Sequence, residues 1–149
     1  MSIPQLVATH PLGGENRALA HAVAEAISCA AICTGCADAC LAEEDPGRLE
    51  RCIRLNLDCA DICTALSRQA MREPSGRSPR FDALLTLCAE TCEECAAECE
   101  NHAEMHAHCE VCARSCRKCA EACRAVLSNT QDDNAAWTGE EEPDATIVF

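Results

Sequence analysis

Sixteen cysteines stand in a chain of 149 residues, and most of them recur at steps of three or four. Cys29, Cys33, Cys36 and Cys40 run four, three, four, and Cys88, Cys92, Cys95 and Cys99 repeat that rhythm. Cys109, Cys112, Cys116, Cys119 and Cys123 continue the alternation, while Cys52, Cys59 and Cys63 leave one gap, filled by Asn56. On a helix this is the a/d spacing of a bundle seam, so each row occupies one face and points at the others across a core. A core of cysteine and alanine alone is underfilled and weakly stabilised by burial. Something other than hydrocarbon is expected to occupy it.

Thiols in this number suit few chemistries. Residues three or four apart on a helix hold their Cβ atoms ~5–6 Å apart, beyond the ~3.5–4.5 Å that a disulfide prefers. Bridges between helices stay geometrically open. Four thiolates around one zinc leave a double negative charge, a severe penalty if repeated through a buried core. Iron-sulfur clusters draw their cysteines from loops, which regular helices do not offer. Cu(I) is univalent, soft and satisfied by two or three sulfurs, so near parity of metal and thiolate leaves the core almost neutral. Seven CxxxC pairs, from Cys29 with Cys33 to Cys119 with Cys123, can each flank a metal, leaving Cys52 and Cys109 to share metals between helices.

The rest of the composition narrows the setting. Twelve basic against 25 acidic residues give a formal charge of −13, which excludes binding to nucleic acid or an anionic membrane through a basic surface. The opening MSIPQLVATHPLGGENR has no basic stretch followed by an apolar core, and no apolar run is read as approaching the ~18 residues of a membrane span. A reducing cytoplasm is therefore expected, where dense cysteine more often means metal than disulfide.

The elements that must position the thiols are helices. Between residues 17 and 127 the chain is rich in Ala, Leu, Glu and Arg, with proline confined to two breaks. EEDPGR offers Asp45 as a cap and Pro46 as a first helical residue; EPSGRSPR stops a helix before Pro74 and restarts one with Ser78 capping Pro79. A third boundary shows in the thiol rhythm, because two steps of three fall together at Cys109 and Cys112. A turn is placed within 101–107, with Asn101 suited to a left-handed helix end. The expected fold is all-α, an antiparallel up-down-up-down four-helix bundle with a cysteine-lined core. Its helices cover about 17–43, 46–73, 79–103 and 107–127. An N-terminal segment, 1–16, precedes them, with Leu6 and Val7 able to pack on the bundle; an acidic, disordered tail, 128–149, follows.

This topology makes the two ends unlike. Cys40, Cys52, Cys99 and Cys109 gather at one end with His102, Met105, His106 and His108, and with Glu43, Glu44 and Asp45 placed to attract a cation. The other end continues into Leu19, Ala22, Ala26, Leu66, Ala70, Phe81, Leu84, Leu85, Val126 and Leu127, an apolar plug in which Met71 packs. Metal is expected to pass the histidine end, by way of His102 and His106. His10 and His21 fall off the stripe and receive no role.

The runs CAAICTGCADAC, CADIC, CAETCEECAAEC and CEVCARSCRKCAEAC, with HAEMHAHC between the last two helices, resemble the copper storage proteins. The resemblance spans about residues 17–127. It implies storage of many Cu(I) ions per chain on thiolates, with no catalytic residue, a cytosolic location, histidines at the mouth and a homotetramer. A copper chaperone is a further expected partner. Two other readings stand beside it: a zinc-stabilised or disulfide-stapled helical interaction module, and a thiol redox enzyme. Against the last, a reactive cysteine needs an accessible, electropositive niche, whereas these thiols belong to buried rows.

Overall fold

The structure is a computed structural model and describes residues 2–73 and 77–129. Pro74 and the acidic stretch from residue 130 onward lie outside the described residues. Five α-helices and one 3-10 turn make up the described chain, with no strand among the described residues. They are α1 (Ile3–Ala8), α2 (Arg17–Leu41), the 3-10 turn (Pro46–Leu49), α3 (Glu50–Ala70), α4 (Pro79–Glu100) and α5 (Ala107–Ser128).

Local chemistry sets the starts of three helices. The Ser2 hydroxyl accepts from the Gln5 amide, the Asn16 side chain from Leu19 at 3.1 Å, and the Ser78 hydroxyl from Phe81 at 3.1 Å. Each satisfies one of the amides that a helix leaves unpaired at its first turn. Pro79 follows Ser78 as expected, with its fixed φ already suited to the first turn.

The first three long helices end two or three residues before the sequence reading, at Leu41, Ala70 and Glu100, and two boundaries differ in their chemistry. Asp45 and Pro46 open the 3-10 turn rather than α3, and the Asp45 side chain makes no capping bond. Its carboxylate pairs instead with Arg48 at 3.0 Å. The tighter winding carries Leu49 into the core at 3% exposure before α3 begins at Glu50. Asn101 ends α4 in the right-handed region, at φ −64 and ψ −19, because the chain winds on through an open turn before His106. Its amide bonds the Glu98 carbonyl at 3.1 Å, and that of His102 bonds Cys99 at 3.0 Å.

The N-terminal segment contains a helix that a six-residue pattern is too short to reveal. In α1, Val7 is buried and Leu6 is 61% exposed. A second correction concerns α2. At 25 residues it is long and apolar enough, by length and composition alone, to cross a membrane. Alanine and cysteine supply that apolar character. Its cysteines, Leu19, Val23 and Ala26 are packed inside the protein.

Each long helix packs against two others: α2 on α3 and α5, and α4 on α3 and α5. Contacting thiols count up along one helix and down along the next. Cys29 meets Cys116 and Cys33 meets Cys112 between α2 and α5; Cys52, Cys59 and Cys63 meet Cys99, Cys92 and Cys88 between α3 and α4. Beyond the thiols, Leu19, Ala22, Ala26, Leu66, Ala70, Phe81, Leu85 and Val126 fill one end without a gap in burial. Met71, Leu84 and Leu127 pack against this cluster. Arg77 closes the same end by bonding the Val126 carbonyl and pairing with Asp82 at 3.0 Å.

Candidate metal centre

All sixteen thiols are free and buried. Fifteen are fully inaccessible and Cys36 is 3% exposed. The a/d spacing turns every row inward, and small alanines beside the cysteines, among them Ala89, Ala96, Ala113 and Ala120, let the helices approach.

The sulfurs form one continuous lattice rather than isolated pairs. Within helices Cys29 lies 3.7 Å from Cys33, and Cys59 lies 3.9 Å from Cys63. Contacts between helices are as short: Cys33 to Cys116 at 3.5 Å, Cys59 to Cys92 at 3.5 Å, and Cys52 to Cys99 at 3.6 Å. Sets such as Cys29, Cys33, Cys59 and Cys116, or Cys33, Cys95, Cys112 and Cys116, hold every sulfur within 4.8 Å of the others. A fourfold set of Cys29, Cys63, Cys92 and Cys119 draws one thiol from each long helix. Soft donors this close can share univalent ions between helices. CxxxC spacing shows only the pairs within a helix.

Asn56 completes the lattice with a different donor. It is fully buried, and its amide nitrogen donates to the Cys52 sulfur at 3.4 Å. Its carbonyl oxygen accepts from the thiols of Cys112 at 2.8 Å, Cys95 at 3.2 Å and Cys99 at 3.8 Å. A thiol is a weak donor and a weak acceptor. An amide oxygen is a stronger acceptor than the sulfur it replaces in the row.

Charge in the lattice is uneven. The Cys52 thiol is lowered to about 3, first by the Cys36 thiol and then by Cys99, which hydrogen-bond its anion. Cys59 is lowered to about 7, chiefly by Cys116. Cys116, Cys63 and Cys33 are pushed far up as the donors that keep their protons, with Cys112, Cys119 and Cys112 respectively as the largest influences. Cys40 is raised to about 11 by burial and by the charge of Cys52. A thiolate at one position is thus stabilised by S–H groups that cannot themselves ionise beside it.

The histidine end is built by the 101–106 turn and the first residues of α5. His108 faces the sulfurs: its Nδ1 lies 3.4 Å from Cys36 and 3.6 Å from Cys109. With Cys36, Cys40 and Cys109 it forms a set within ligand spacing. Its Nε2 lies 3.0 Å from a Glu43 oxygen, which is also 3.3 Å from His106 Nδ1. The rings of His106 and His108 stack at 5.5 Å. His102 turns instead to Glu98, at 3.2 Å, which Arg51 also contacts at 3.4 Å. Met105 is 79% exposed. The sequence reading put His102, Met105, His106 and His108 at the metal entry, with passage by way of His102 and His106; the structure sets His108 against the sulfurs. Its place beside Cys109 was the available signal; its link to Glu43, 65 residues away, was not legible.

The copper storage protein family, Csp, matches residues 15–128, the span that holds every thiol and the histidine turn. The chain is similar to the copper storage protein Ccsp of Streptomyces lividans loaded with 10 copper equivalents, at 42% identity and a TM-score of 0.82, covering 87% of this chain and 100% of that one. It is also similar to a structure of copper loading to a cytosolic copper storage protein from Streptomyces lividans (five coppers), at 43% identity and TM-score 0.74, over 76% and 95% of the two chains. The Cu(I)-bound copper storage protein BsCsp3 of Bacillus subtilis matches at 36% identity and TM-score 0.62, over 70% and 92%. The buried thiol lattice and these matches together establish that the chain belongs to the copper storage protein family.

Proposed function

We propose that the bundle of residues 17–127 stores many Cu(I) ions in the cytoplasm, held by the thiolates of all sixteen cysteines. The observation that carries this reading is the lattice itself: sixteen buried sulfurs in mutual contact across four helices, in a core with little hydrocarbon between the two ends. Cargo replaces packing. The falling register of thiol pairs between neighbouring helices supports an up-down-up-down bundle. The apolar seal around Phe81 supports a single mouth, at His106 and His108. His102 and Met105 lie at the same end and serve arriving metal rather than storage. The cytosolic description of the Streptomyces lividans relative supports the location. The homotetramer rests on the family resemblance, and a copper chaperone is a further proposed partner.

No step of this function is catalysis. Cu(I) binding exchanges thiol protons for metal, and the protein holds the ion reduced by offering soft ligands in a site that excludes water. Stepwise anaerobic titration of the reduced protein tests the reading. Uptake well beyond four Cu(I) ions per chain, with replacement of several thiols by serine lowering the end point, is the expected result. Saturation at four ions or fewer overturns it.

A further inference from the structure

We propose that Glu43 is a positioning residue for the mouth: one carboxylate oxygen fixes the tautomer of His108, and so decides which of its nitrogens meets copper. The inference rests on the storage reading. Glu43 follows the end of α2, where its amide bonds the Cys40 carbonyl at 3.3 Å, so its backbone is tied to a thiol residue. Its Oε1 lies 3.0 Å from His108 Nε2 and 3.3 Å from His106 Nδ1. The side chains of all three are at least two-thirds buried.

A carboxylate oxygen only accepts, so His108 Nε2, which is hydrogen-bonded to it, must carry its proton. In a neutral imidazole the other nitrogen then keeps its lone pair. For His108 that nitrogen is Nδ1, which lies 3.4 Å from Cys36 and 3.6 Å from Cys109, with its one lone pair facing their thiol protons in the metal-free protein. A Cu(I) ion displacing those protons finds a nitrogen lone pair beside two sulfurs. His106 Nδ1 lies 3.3 Å from the same oxygen, at ion-pair distance, and its ring stacks on that of His108. Outer-shell carboxylates on metal-binding imidazoles act in this way.

Three forms of the full chain separate this from simple attraction of a cation by negative charge: wild type, Glu43→Leu and Glu43→Gln. Glutamine keeps an acceptor oxygen and loses the charge; leucine loses both. In metal-free wild type, nitrogen-15 NMR of the imidazoles is expected to show His108 protonated on Nε2. In Glu43→Leu, Cu(I) loading under anaerobic conditions is expected to slow about 10- to 100-fold, with the end-point stoichiometry and helical circular dichroism unchanged. Glu43→Gln is expected to load within a few-fold of wild type. Loading as slow in Gln as in Leu, or at the wild-type rate in Leu, overturns the proposal, as does a wild-type His108 protonated on Nδ1. That last measurement decides even if a variant fails to fold. Saturation of wild type at four ions or fewer instead overturns the storage reading, whatever the rates.

Discussion

The carbonyl oxygen of Asn56 lies 2.8 Å from the Cys112 sulfur, making the shortest polar contact in a core otherwise built from weak thiol contacts. It sits at the one position in α3 where the four-three-four rhythm calls for another cysteine. Replacement by cysteine keeps the volume small and restores the row. Asn56→Cys is expected to raise the Cu(I) capacity above that of wild type in a stoichiometric titration. Asn56→Leu leaves the Cys95 and Cys112 donors without this acceptor and is expected to destabilise the metal-free protein by about 1 kcal/mol, read from urea unfolding.

Copper should stiffen the fold. The lattice sets draw sulfurs from up to four helices, so an ion bound there exists only in the folded chain and stabilises it by mass action. The midpoint of thermal unfolding is expected to rise steadily with Cu(I) added, and to return to the metal-free value when a strong chelator removes the metal. A midpoint indifferent to copper contradicts thiolate binding across helices.

Acid should weaken binding, and the sign follows from the thiols. Protons and Cu(I) compete for the same sulfurs. Cys40, raised to about 11 by burial, must release a proton to become a ligand, whereas Cys52, lowered to about 3 by the thiols of Cys36 and Cys99, gives its proton up far more readily. Affinity is therefore expected to rise with pH, with protons released as thiols are engaged. Competition with a chelator across pH, alongside proton release in weakly buffered solution, measures both.

The seal can be breached. Phe81 is fully buried among the residues that close the end opposite the histidines. Phe81→Ala is expected to cost about 3–5 kcal/mol of stability. Measured where the variant is still folded, removal of copper by a chelator should be faster than in wild type, because a second opening now exists. An unchanged rate contradicts a single mouth.

The histidines should differ in effect. His108→Ala removes the imidazole that touches Cys36 and Cys109, while His102→Ala removes one engaged with Glu98. Loading followed by absorbance is expected to slow more in His108→Ala than in His102→Ala, with little change in total capacity for either. Equal effects assign the gate to the turn as a whole.

What was legible in the sequence followed from period and punctuation. The four-three-four spacing put the thiols on one side of each helix, and Ser78 with Pro79 marked the start of α4 because both act through local backbone chemistry. The same local signals misled at Asp45, whose carboxylate found Arg48 before it could cap, and at Asn101, whose capacity for a left-handed turn went unused. α1 has too few residues to show a period. The partners of Asn56 and of Glu43 come from distant parts of the chain, so no local pattern encodes them.

The plug formed by Leu66, Leu85 and Phe81 has a consequence for the order of exchange. A vessel with one neck empties in the reverse of the sequence in which it fills. On the single-mouth proposal, ions at the sealed bottom, beside Cys29, Cys63, Cys88 and Cys123, are expected to leave last, and those in the tier nearest Cys109 first. On the same proposal a brief demand for copper draws on the tier at the mouth, and only a prolonged one reaches the reserve beside the plug.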